Sequence, residues 1–304
     1  MDSVKNYTES ERIVLLEDVS LKKYTSFKLG GTADFMVFPQ QEEQVAEILR
    51  LCRSEKIPFF IIGNGSNLLA PDEGFPGVII STEKLDTLRL ECGNKIYCGA
   101  GVKLKTLCQF ALEHSLTGLE FAYGIPGTAG GAAFMNAGAY GGEMKDVLAE
   151  CKYIGEKGNI TFSRGDELKL GYRHSVFAEN SGIILELCLE LQRGNHLEIH
   201  EKMQDFMGRR RDKQPLEYPS AGSVFKRPAG DFAGRLIEQC GLKGYQIGGA
   251  QVSEKHSGFI INRGGATCAD VLALVEHVRK TVHRETGVLL ESEIRTLQIP
   301  QKSV

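Results

Sequence analysis

Long apolar runs are missing from this 304-residue chain. The longest ones, such as Phe59-Phe60-Ile61-Ile62, are far shorter than the roughly 20 residues that a membrane helix needs. The first residues, Met1 to Asn6, carry no apolar core of a secretion signal. We therefore expect a cytoplasmic protein that does not enter a membrane.

Sequence patterns of metal sites and disulfide scaffolds are also missing. The eight cysteines contain no Cys-x-x-Cys pair, and the seven histidines contain no His-Glu-x-x-His pair. We expect no bound metal ion and predict that the cysteines are reduced residues of the core.

Neither sign of charge dominates the chain. The 36 basic residues are spread along the chain rather than interleaved with aromatic residues, and the formal charge is −3. Nucleic acid is therefore not an expected partner. The chain also lacks internal repeats and heptads. Its oligomeric state cannot be read from the sequence, and a monomer is our expectation.

What the chain does contain is a mixture of helical and strand periodicities. Helices are predicted over 41–56, 104–112, 197–211, from Asp231 as N-cap to Cys240, and over 268–285 with Gly287 as the stop. Strands are predicted over 58–62, 77–81, 87–91, 95–99, 149–154, 159–163, 183–191 and 288–298. Pro215 and Pro219 suggest a domain boundary after the basic run that ends at Arg211.

Glycine is concentrated in two loops that could approach a ligand closely. Gly63-Asn64-Gly65-Ser66-Asn67 follows a predicted strand and suits amide donors around a phosphate. It lacks the third glycine of the dinucleotide fingerprint, and no helix pattern follows it. The segment 124–142 is denser in glycine, so we expect something to approach its backbone. Close packing of helix on strand is the open alternative.

Two further segments, 171–175 and 219–228, carry groups able to do chemistry, as do Glu291 and Glu293 on the last predicted strand. Taken singly, each has an ordinary explanation. Arg173 could be a surface ion-pair residue, Ser223 a turn hydroxyl, and the two glutamates a solvated strand edge.

Seven segments taken together resemble the family of UDP-N-acetylenolpyruvoylglucosamine reductases. They occur in the family's order and are residues 24–31, 63–67, 124–142, 171–175, 219–228, 248–258 and 290–295. The resemblance implies a bacterial enzyme that uses FAD and NADPH to reduce UDP-N-acetylglucosamine enolpyruvate to UDP-N-acetylmuramate for peptidoglycan.

The resemblance also implies the fold class. It is α+β, a vanillyl-alcohol-oxidase-type (PCMH-type) FAD-binding fold of two α+β subdomains, at residues 1–80 and 81–213, plus a C-terminal α+β substrate-binding domain at 214–304. The last strand could return to the FAD domain.

Three catalytic roles are implied by resemblance. Ser223 matches the proton donor, and a nearby Lys226 or Arg227 would favour loss of its proton. Arg173 matches the arginine that faces the substrate carboxylate, where a bidentate fork stabilises charge better than lysine. Glu293, rather than Glu291, matches the glutamate that polarises the enolpyruvyl group, either as a neutral acid or by fixing Arg173.

The remaining site residues are also assigned by resemblance. The expected contacts of the FAD diphosphate and ring system are Gly63, Asn64, Gly65, Ser66, Asn67, Pro126, Gly127, Thr128, Gly130, Gly131 and Gly138. The expected substrate contacts, to its carboxylate, diphosphate and sugar, are Tyr172, Lys226, Arg227 and Gln251.

One departure and two rival functions remain. The span from Tyr172 to Pro219 lacks room for the insertion whose tyrosine closes over the sugar nucleotide, so the chain resembles the family's shorter type. A different flavin oxidase of the same fold, acting on a hydroxy acid or lactone, is one rival. A nucleotide-binding protein without catalysis is the other.

Overall fold

A computed structural model describes residues 1–298 of the chain. The α-helices within these residues are α1 (Asp2–Ser10), α2 (Glu42–Ser54), α3 (Leu104–Glu113), α4 (Ala129–Phe134), α5 (Val176–Asn180), α6 (His196–Lys213), α7 (Ala233–Gln239) and α8 (Cys268–Thr286). None of them is both long enough and apolar enough to cross a membrane.

The strands of the described chain are short, and several contain two residues. They are β1 (Val14–Ser20), β2 (Thr32–Phe38), β3 (Phe59–Ile62), β4 (Leu68–Leu69), β5 (Phe75–Ser81), β6 (Leu88–Glu91), β7 (Lys95–Gly99), β8 (Leu116–Thr117), β9 (Gly138–Ala139), β10 (Gly142–Glu143), β11 (Leu148–Ile154), β12 (Ile160–Arg164), β13 (Ile183–Glu190), β14 (Gln192–Arg193), β15 (Ser220–Ser223), β16 (Gln246–Ile247), β17 (Ala250–Val252), β18 (Phe259–Asn262) and β19 (Arg295–Thr296).

The first of two compact units consists of Met1–Leu16, Phe35–Asn64 and Gly77–Arg210. Its main sheet has five antiparallel strands in the order β12-β11-β13-β7-β6. This unit also contains the parallel pair formed by β3 and residues 78–81 of β5. Alternating apolar residues of these strands and the apolar faces of α2 and α3 form two cores.

The second unit consists of Glu17–Asp34, Gly65–Pro76 and the chain from Arg211 onward. Its sheet has four antiparallel strands in the order β15-β18-β17-β16, and the short strands β19 and β4 pair in parallel. One core joins this sheet to α7 and α8. This unit carries Ser223 and Glu293, whereas the first unit carries Arg173.

Helix α8 shows how the sequence fixes a helix start. Four amide groups at its first turn have acceptors: those of Thr267 and Asp270 bond each other's side chains at 3.0 Å, and those of Cys268 and Ala269 bond the Asp72 carboxylate. These are the groups that a helix leaves without a partner of its own. Gly287 ends the helix in the left-handed region at φ 74°.

Most elements predicted from periodicity are confirmed. The structure contains the helices at 42–54, 104–113, 196–213 and 268–286, and the antiparallel hairpin of β11 and β12. All eight cysteines are free, but Cys92 is exposed. The prediction that every cysteine belongs to the core is wrong at this position, because Cys92 lies in the turn between β6 and β7 at φ 51°.

Two predicted boundaries in the second unit are wrong. Asp231 is not the N-cap of α7, because its carboxylate accepts from the next amide, that of Phe232, and pairs with Arg235. Phe232 is the N-cap instead. The single strand predicted at 288–298 is reduced to Arg295–Thr296, preceded by an isolated bridge between Phe225 and Ser292.

Candidate functional site

Arg173 is one of two central residues of a tight turn in the first unit. Gly171 and His174 exchange both backbone hydrogen bonds at 3.1 Å, which leaves Tyr172 and Arg173 at the tip. Arg173 has φ 54°, and its guanidinium carbon lies 5.3 Å from the centre of the Tyr172 ring. Tyr172 is 52% exposed. The turn therefore presents a cation and an aromatic ring together, and the cation could bind an anionic substrate.

The side chain of Asn136 holds this turn by hydrogen bonding. Its amide nitrogen donates to the Gly171 carbonyl at 2.9 Å and to Glu143 at 3.0 Å, and its oxygen accepts from the Lys145 amide at 2.8 Å. The side chain is fully buried. Asn136 therefore ties the turn at Arg173 to the segment of Glu143 and Lys145. Sequence analysis did not identify it.

Ser223 ends strand β15 of the second unit, directly after Gly222 at φ 78°. It pairs with Phe259 of β18, and the following amide, of Val224, donates to Gly258 at 2.9 Å. The left-handed region favours glycine, so Gly222 allows the chain to turn and set the Ser223 hydroxyl at the strand's end.

Glu293 lies on the segment that runs beside Ser223. Its amide donates to the Val224 carbonyl at 2.7 Å, and the Lys226 amide donates to the Glu291 carbonyl at 2.9 Å. The structure therefore brings together Ser223, Lys226 and Glu293. The two glutamates do not lie on a regular strand, contrary to the expectation, because the pairing here is limited to one bridge.

Asn67 belongs to the part of the 63–67 loop that lies in the second unit, and it connects this loop to Glu293. Its side-chain amide donates to the Glu293 carbonyl at 3.1 Å, and its own carbonyl accepts from the Arg295 amide at 3.1 Å. The side chain thus braces the backbone of a candidate catalytic residue.

Lys226, Arg227 and Gln251 each make contacts within the second unit. The Lys226 ammonium lies 3.3 Å from the Glu291 carboxylate, and the Arg227 guanidinium carbon lies 4.5 Å from the Phe232 ring centre. The Gln251 amide donates to the Gly244 carbonyl at 3.1 Å. Lys226 and Arg227 lie three and four residues after Ser223 in the chain, whereas Gln251 lies on β17.

Three glycines of the first unit are required by packing within the protein. A Cβ atom on Gly63 would come within 2.5 Å of the Thr128 hydroxyl, one on Gly130 within 2.7 Å of Ala100, and one on Gly138 within 2.8 Å of Glu143. Close packing, the alternative left open above, therefore accounts for these glycines. Glycine density alone was not specific evidence of a ligand.

Within the first unit, a hydrogen bond connects the loop that begins at Gly63 to the glycine-rich segment 124–142. The Asn64 side chain donates to the Pro126 carbonyl at 2.7 Å, and the Thr128 hydroxyl accepts from the Gly131 amide at 3.4 Å. In the second unit, Gly65 at φ 58° lies against the Tyr24 carbonyl, where a Cβ would come within 2.1 Å.

Arg210, near the end of α6, is a second residue that sequence analysis missed. Its side chain is buried, and its Nε atom has no hydrogen-bond partner among residues 1–298. It lies against Gly124, the first residue of the dense glycine segment. Such a buried cation beside half-buried glycine backbone fits a bound group that carries negative charge. The available signal was helical spacing, since Ile199, Met203 and Arg210 share one buried face.

Comparison with known protein families gives two matches. Residues 33–163 match the family described as FAD binding domain, and residues 214–297 match the family described as UDP-N-acetylenolpyruvoylglucosamine reductase, C-terminal domain. The two matches include the Gly63 and Thr128 loops and the Ser223 to Glu293 segments, respectively.

Curated relatives are similar over nearly the whole chain. A protein of Caldanaerobacter subterraneus subsp. tengcongensis named UDP-N-acetylenolpyruvoylglucosamine reductase is 49% identical over 295 residues, 97% of each chain. A Clostridium perfringens protein of the same name is 50% identical over 92% of each chain. A solved structure of UDP-N-acetylenolpyruvylglucosamine reductase from Thermus caldophilus is 36% identical, with a TM-score of 0.80, and covers 94% of this chain and 99% of its own.

Proposed function

The chain belongs to the UDP-N-acetylenolpyruvoylglucosamine reductase family, and we propose that Arg173, Ser223 and Glu293 perform its chemistry. It is an FAD-dependent oxidoreductase that uses NADPH to reduce UDP-N-acetylglucosamine enolpyruvate to UDP-N-acetylmuramate, in the synthesis of peptidoglycan precursors. The observation that carries this function is the near 50% identity over most of the chain.

Several expectations from the sequence are thereby confirmed. They are the family, the α+β fold with a vanillyl-alcohol-oxidase-type FAD-binding domain, the reductase activity and the use of FAD. The three-domain division at 80 and 213 stays a prediction, as do the site residues.

The first unit contains most of the residues that would hold FAD. The Asn64 and Pro126 loops, tied by a 2.7 Å hydrogen bond, form a braced backbone, and Arg210 supplies a buried positive charge. The chemistry that bound FAD would supply is hydride transfer from NADPH to the methylene carbon of the substrate. We propose that Gly63, Asn64, Thr128, Gly130 and Gly131 contribute to this cofactor site together with Gly65, Ser66, Asn67, Pro126, Gly127 and Gly138.

Ser223 is the proposed proton donor to the carbon next to the reduced methylene. A serine hydroxyl is an ordinary weak acid, but the enolate that it must protonate is strongly basic, so transfer is favourable. The position of Ser223 at the end of β15, after Gly222, supports this role because the paired strands fix its backbone. The Lys226 ammonium pairs with the Glu291 carboxylate, so it stabilises the loss of the Ser223 proton less than an unpaired cation would.

Arg173 and Glu293 are proposed to stabilise the negative charge that gathers on the substrate carboxylate. The planar guanidinium can bond both carboxylate oxygens, and the turn fixed by Asn136 limits its movement. Glu293 is held by its own amide bond to Val224 and by Asn67. Tyr172, Lys226, Arg227 and Gln251 are the proposed further contacts of the sugar nucleotide.

We also propose a cytoplasmic location and a monomeric enzyme. Eight free cysteines favour a reducing compartment, and NADPH is available there. Sedimentation of the purified protein would test the monomer.

Measuring NADPH oxidation in the absence of oxygen tests the function. Oxidation that depends on added enolpyruvyl sugar nucleotide is expected. Oxygen consumption with a hydroxy acid and no sugar nucleotide would instead support the oxidase rival. A protein that stays colourless after addition of FAD would support the non-catalytic rival.

A further inference from the structure

Arg210 is a buried cation for which the described chain provides no acidic partner. Its side chain is 9% exposed, and no carboxylate of residues 1–298 forms an ion pair with it. Its neighbour Arg209, by contrast, is exposed and pairs with Asp205 at 2.7 Å. Burial lowers the pKa of Arg210, and the hydroxyl of Tyr140 opposes this effect by hydrogen bonding.

An arginine cannot escape this situation by losing its proton. A buried charge without a counter-ion is strongly destabilising, so its retention needs a compensating group. The unsatisfied Nε atom adds a second cost. A ligand with negative charge at this position would remove both.

The surroundings of Arg210 indicate which part of a ligand lies there. A Cβ on Gly124 would lie 3.0 Å from the Arg210 Cδ and Nε atoms and 3.3 Å from the Met207 sulfur. The Tyr140 ring stacks on Phe206 with centroids 4.7 Å apart. This environment of thioether, rings and glycine backbone suits a planar ring system, whereas a diphosphate is usually bound by several backbone amides.

Gly124 and Tyr140 both fall within the part of the chain that matches the FAD binding domain. We propose that Arg210 faces the pyrimidine edge of the FAD isoalloxazine and stabilises the negative charge that this edge carries after reduction. The inference rests on the FAD-dependent function proposed above and adds a residue that sets the reactivity of the cofactor.

The charge on the flavin ring changes during the reaction, and this change defines the step at which Arg210 acts. A hydride from NADPH brings two electrons and one proton to the ring, releases NADP⁺ and leaves the ring with one additional negative charge. The hydride then leaves for the substrate methylene, the Ser223 proton goes to the neighbouring carbon, and the additional charge is gone. Arg210 therefore favours the reduced cofactor and raises its reduction potential.

Sulfite provides a test that needs neither NADPH nor sugar nucleotide. It adds reversibly to oxidised flavin, bleaches the visible spectrum and leaves negative charge on the same pyrimidine edge. The FAD-loaded enzyme and its Arg210→Met, Arg210→Gln and Arg210→Lys variants would be titrated with sulfite. Arg209→Met is the matched control, because Arg209 is the exposed neighbour on the same helix.

The expected result is a rise in the sulfite dissociation constant of about tenfold or more in Arg210→Met and Arg210→Gln. When FAD is reduced against a reference dye, its oxidised-to-reduced ratio should be about tenfold higher in the same variants. This equals a fall in the reduction potential of about 30 mV for two electrons. Arg210→Lys, which keeps the charge, and Arg209→Met should stay near the parent enzyme. Two neutral variants are used so that the measurement remains possible if one of them does not fold.

Two outcomes would overturn the inference. Neutral variants that bind FAD and sulfite as the parent does would show that the cation does not face the ring. Neutral variants that lose FAD affinity but keep the sulfite affinity of the bound fraction would place Arg210 at the diphosphate. Failure of the proposed function is distinguishable, because the parent enzyme would then bind FAD and sulfite without reducing the sugar nucleotide.

Discussion

The amide of Glu293 donates a 2.7 Å hydrogen bond to the carbonyl of Val224, the residue that follows Ser223. Two candidate catalytic residues that are 70 positions apart in the chain are therefore held on paired backbone segments. The pairing continues through Phe225 with Ser292 and through Lys226 with Glu291. A proton donor and a carboxyl group fixed in this way need little rearrangement to act on one substrate.

Replacing Ser223 with alanine separates the two halves of the reaction. Reduction of FAD by NADPH should be nearly unchanged, because that half needs no proton from the protein. Turnover of the sugar nucleotide should fall by about 10²–10⁴-fold, the usual contribution of a general acid. Stopped-flow absorbance measures each half separately. Ser220→Ala on the same strand is the control, and an equal loss in both halves would refute the assignment.

The Arg173→Lys variant tests the fork geometry of the guanidinium. Lysine keeps the charge but cannot bond both carboxylate oxygens, so kcat/KM for the sugar nucleotide should fall by about 10–100-fold, the cost of one bond to a charged group. The rate of FAD reduction by NADPH should not change. Arg164→Lys, at an exposed pair with Glu150, is the control. Near-normal kcat/KM in Arg173→Lys would show that charge alone suffices.

Asn136→Ala should loosen the turn that carries Arg173. The change removes three hydrogen bonds and places alanine at φ 43°, so the free energy of unfolding should fall by about 2–4 kcal/mol. Urea denaturation measures this loss. The folded fraction should also show lower kcat/KM for the sugar nucleotide but normal FAD reduction. Exposed Asn159→Ala is the control, and equal behaviour of the two variants would contradict the positioning role.

Asp270 gives the stability of the second unit a defined pH dependence. The Thr267 amide and then the Gly249 amide, by hydrogen bonding its carboxylate, lower the pKa of Asp270. A lowered folded-state pKa means that this stabilisation is complete above the ordinary aspartate pKa and is lost as pH falls through the lowered value. The difference in unfolding free energy between parent and Asp270→Asn should therefore be constant near neutral pH and shrink in acid. A difference that grows in acid would contradict this linkage.

The elements that the sequence predicted well are those with complete local signals. Helix α8 has a capping box, an unbroken apolar face and a glycine stop. Its start was therefore predicted correctly and its end within one residue. The strand predicted at 288–298 had apolar residues but no local information on pairing. Its partners, in β4 and beside Phe225, are distant in sequence. Asp231 failed as a cap because Arg235, one turn later, takes its carboxylate.

Motifs in the sequence indicated some residues of the proposed site, whereas others became apparent only from their burial in the structure. Arg173, Ser223 and Glu293 lie in recognisable segments, and the structure holds Ser223 beside the Glu293 segment. Arg210 lies in a run of three arginines, a pattern typical of a solvated surface. Its burial depends on the tertiary position of α6 against Gly124, which no local pattern records. The role of Asn136 was likewise hidden, because its bond to Gly171 spans 35 residues.

The reaction at the centre of this function is the reduction of an enolpyruvyl sugar nucleotide with electrons from NADPH. The most direct measurement is the mass of the product formed without oxygen from the FAD-loaded enzyme, NADPH and UDP-N-acetylglucosamine enolpyruvate. We predict complete conversion to UDP-N-acetylmuramate, heavier than the substrate by one hydride and one proton, with one NADP⁺ formed for each product. Recovery of unchanged sugar nucleotide from an enzyme whose FAD is fully reduced by NADPH would contradict the account.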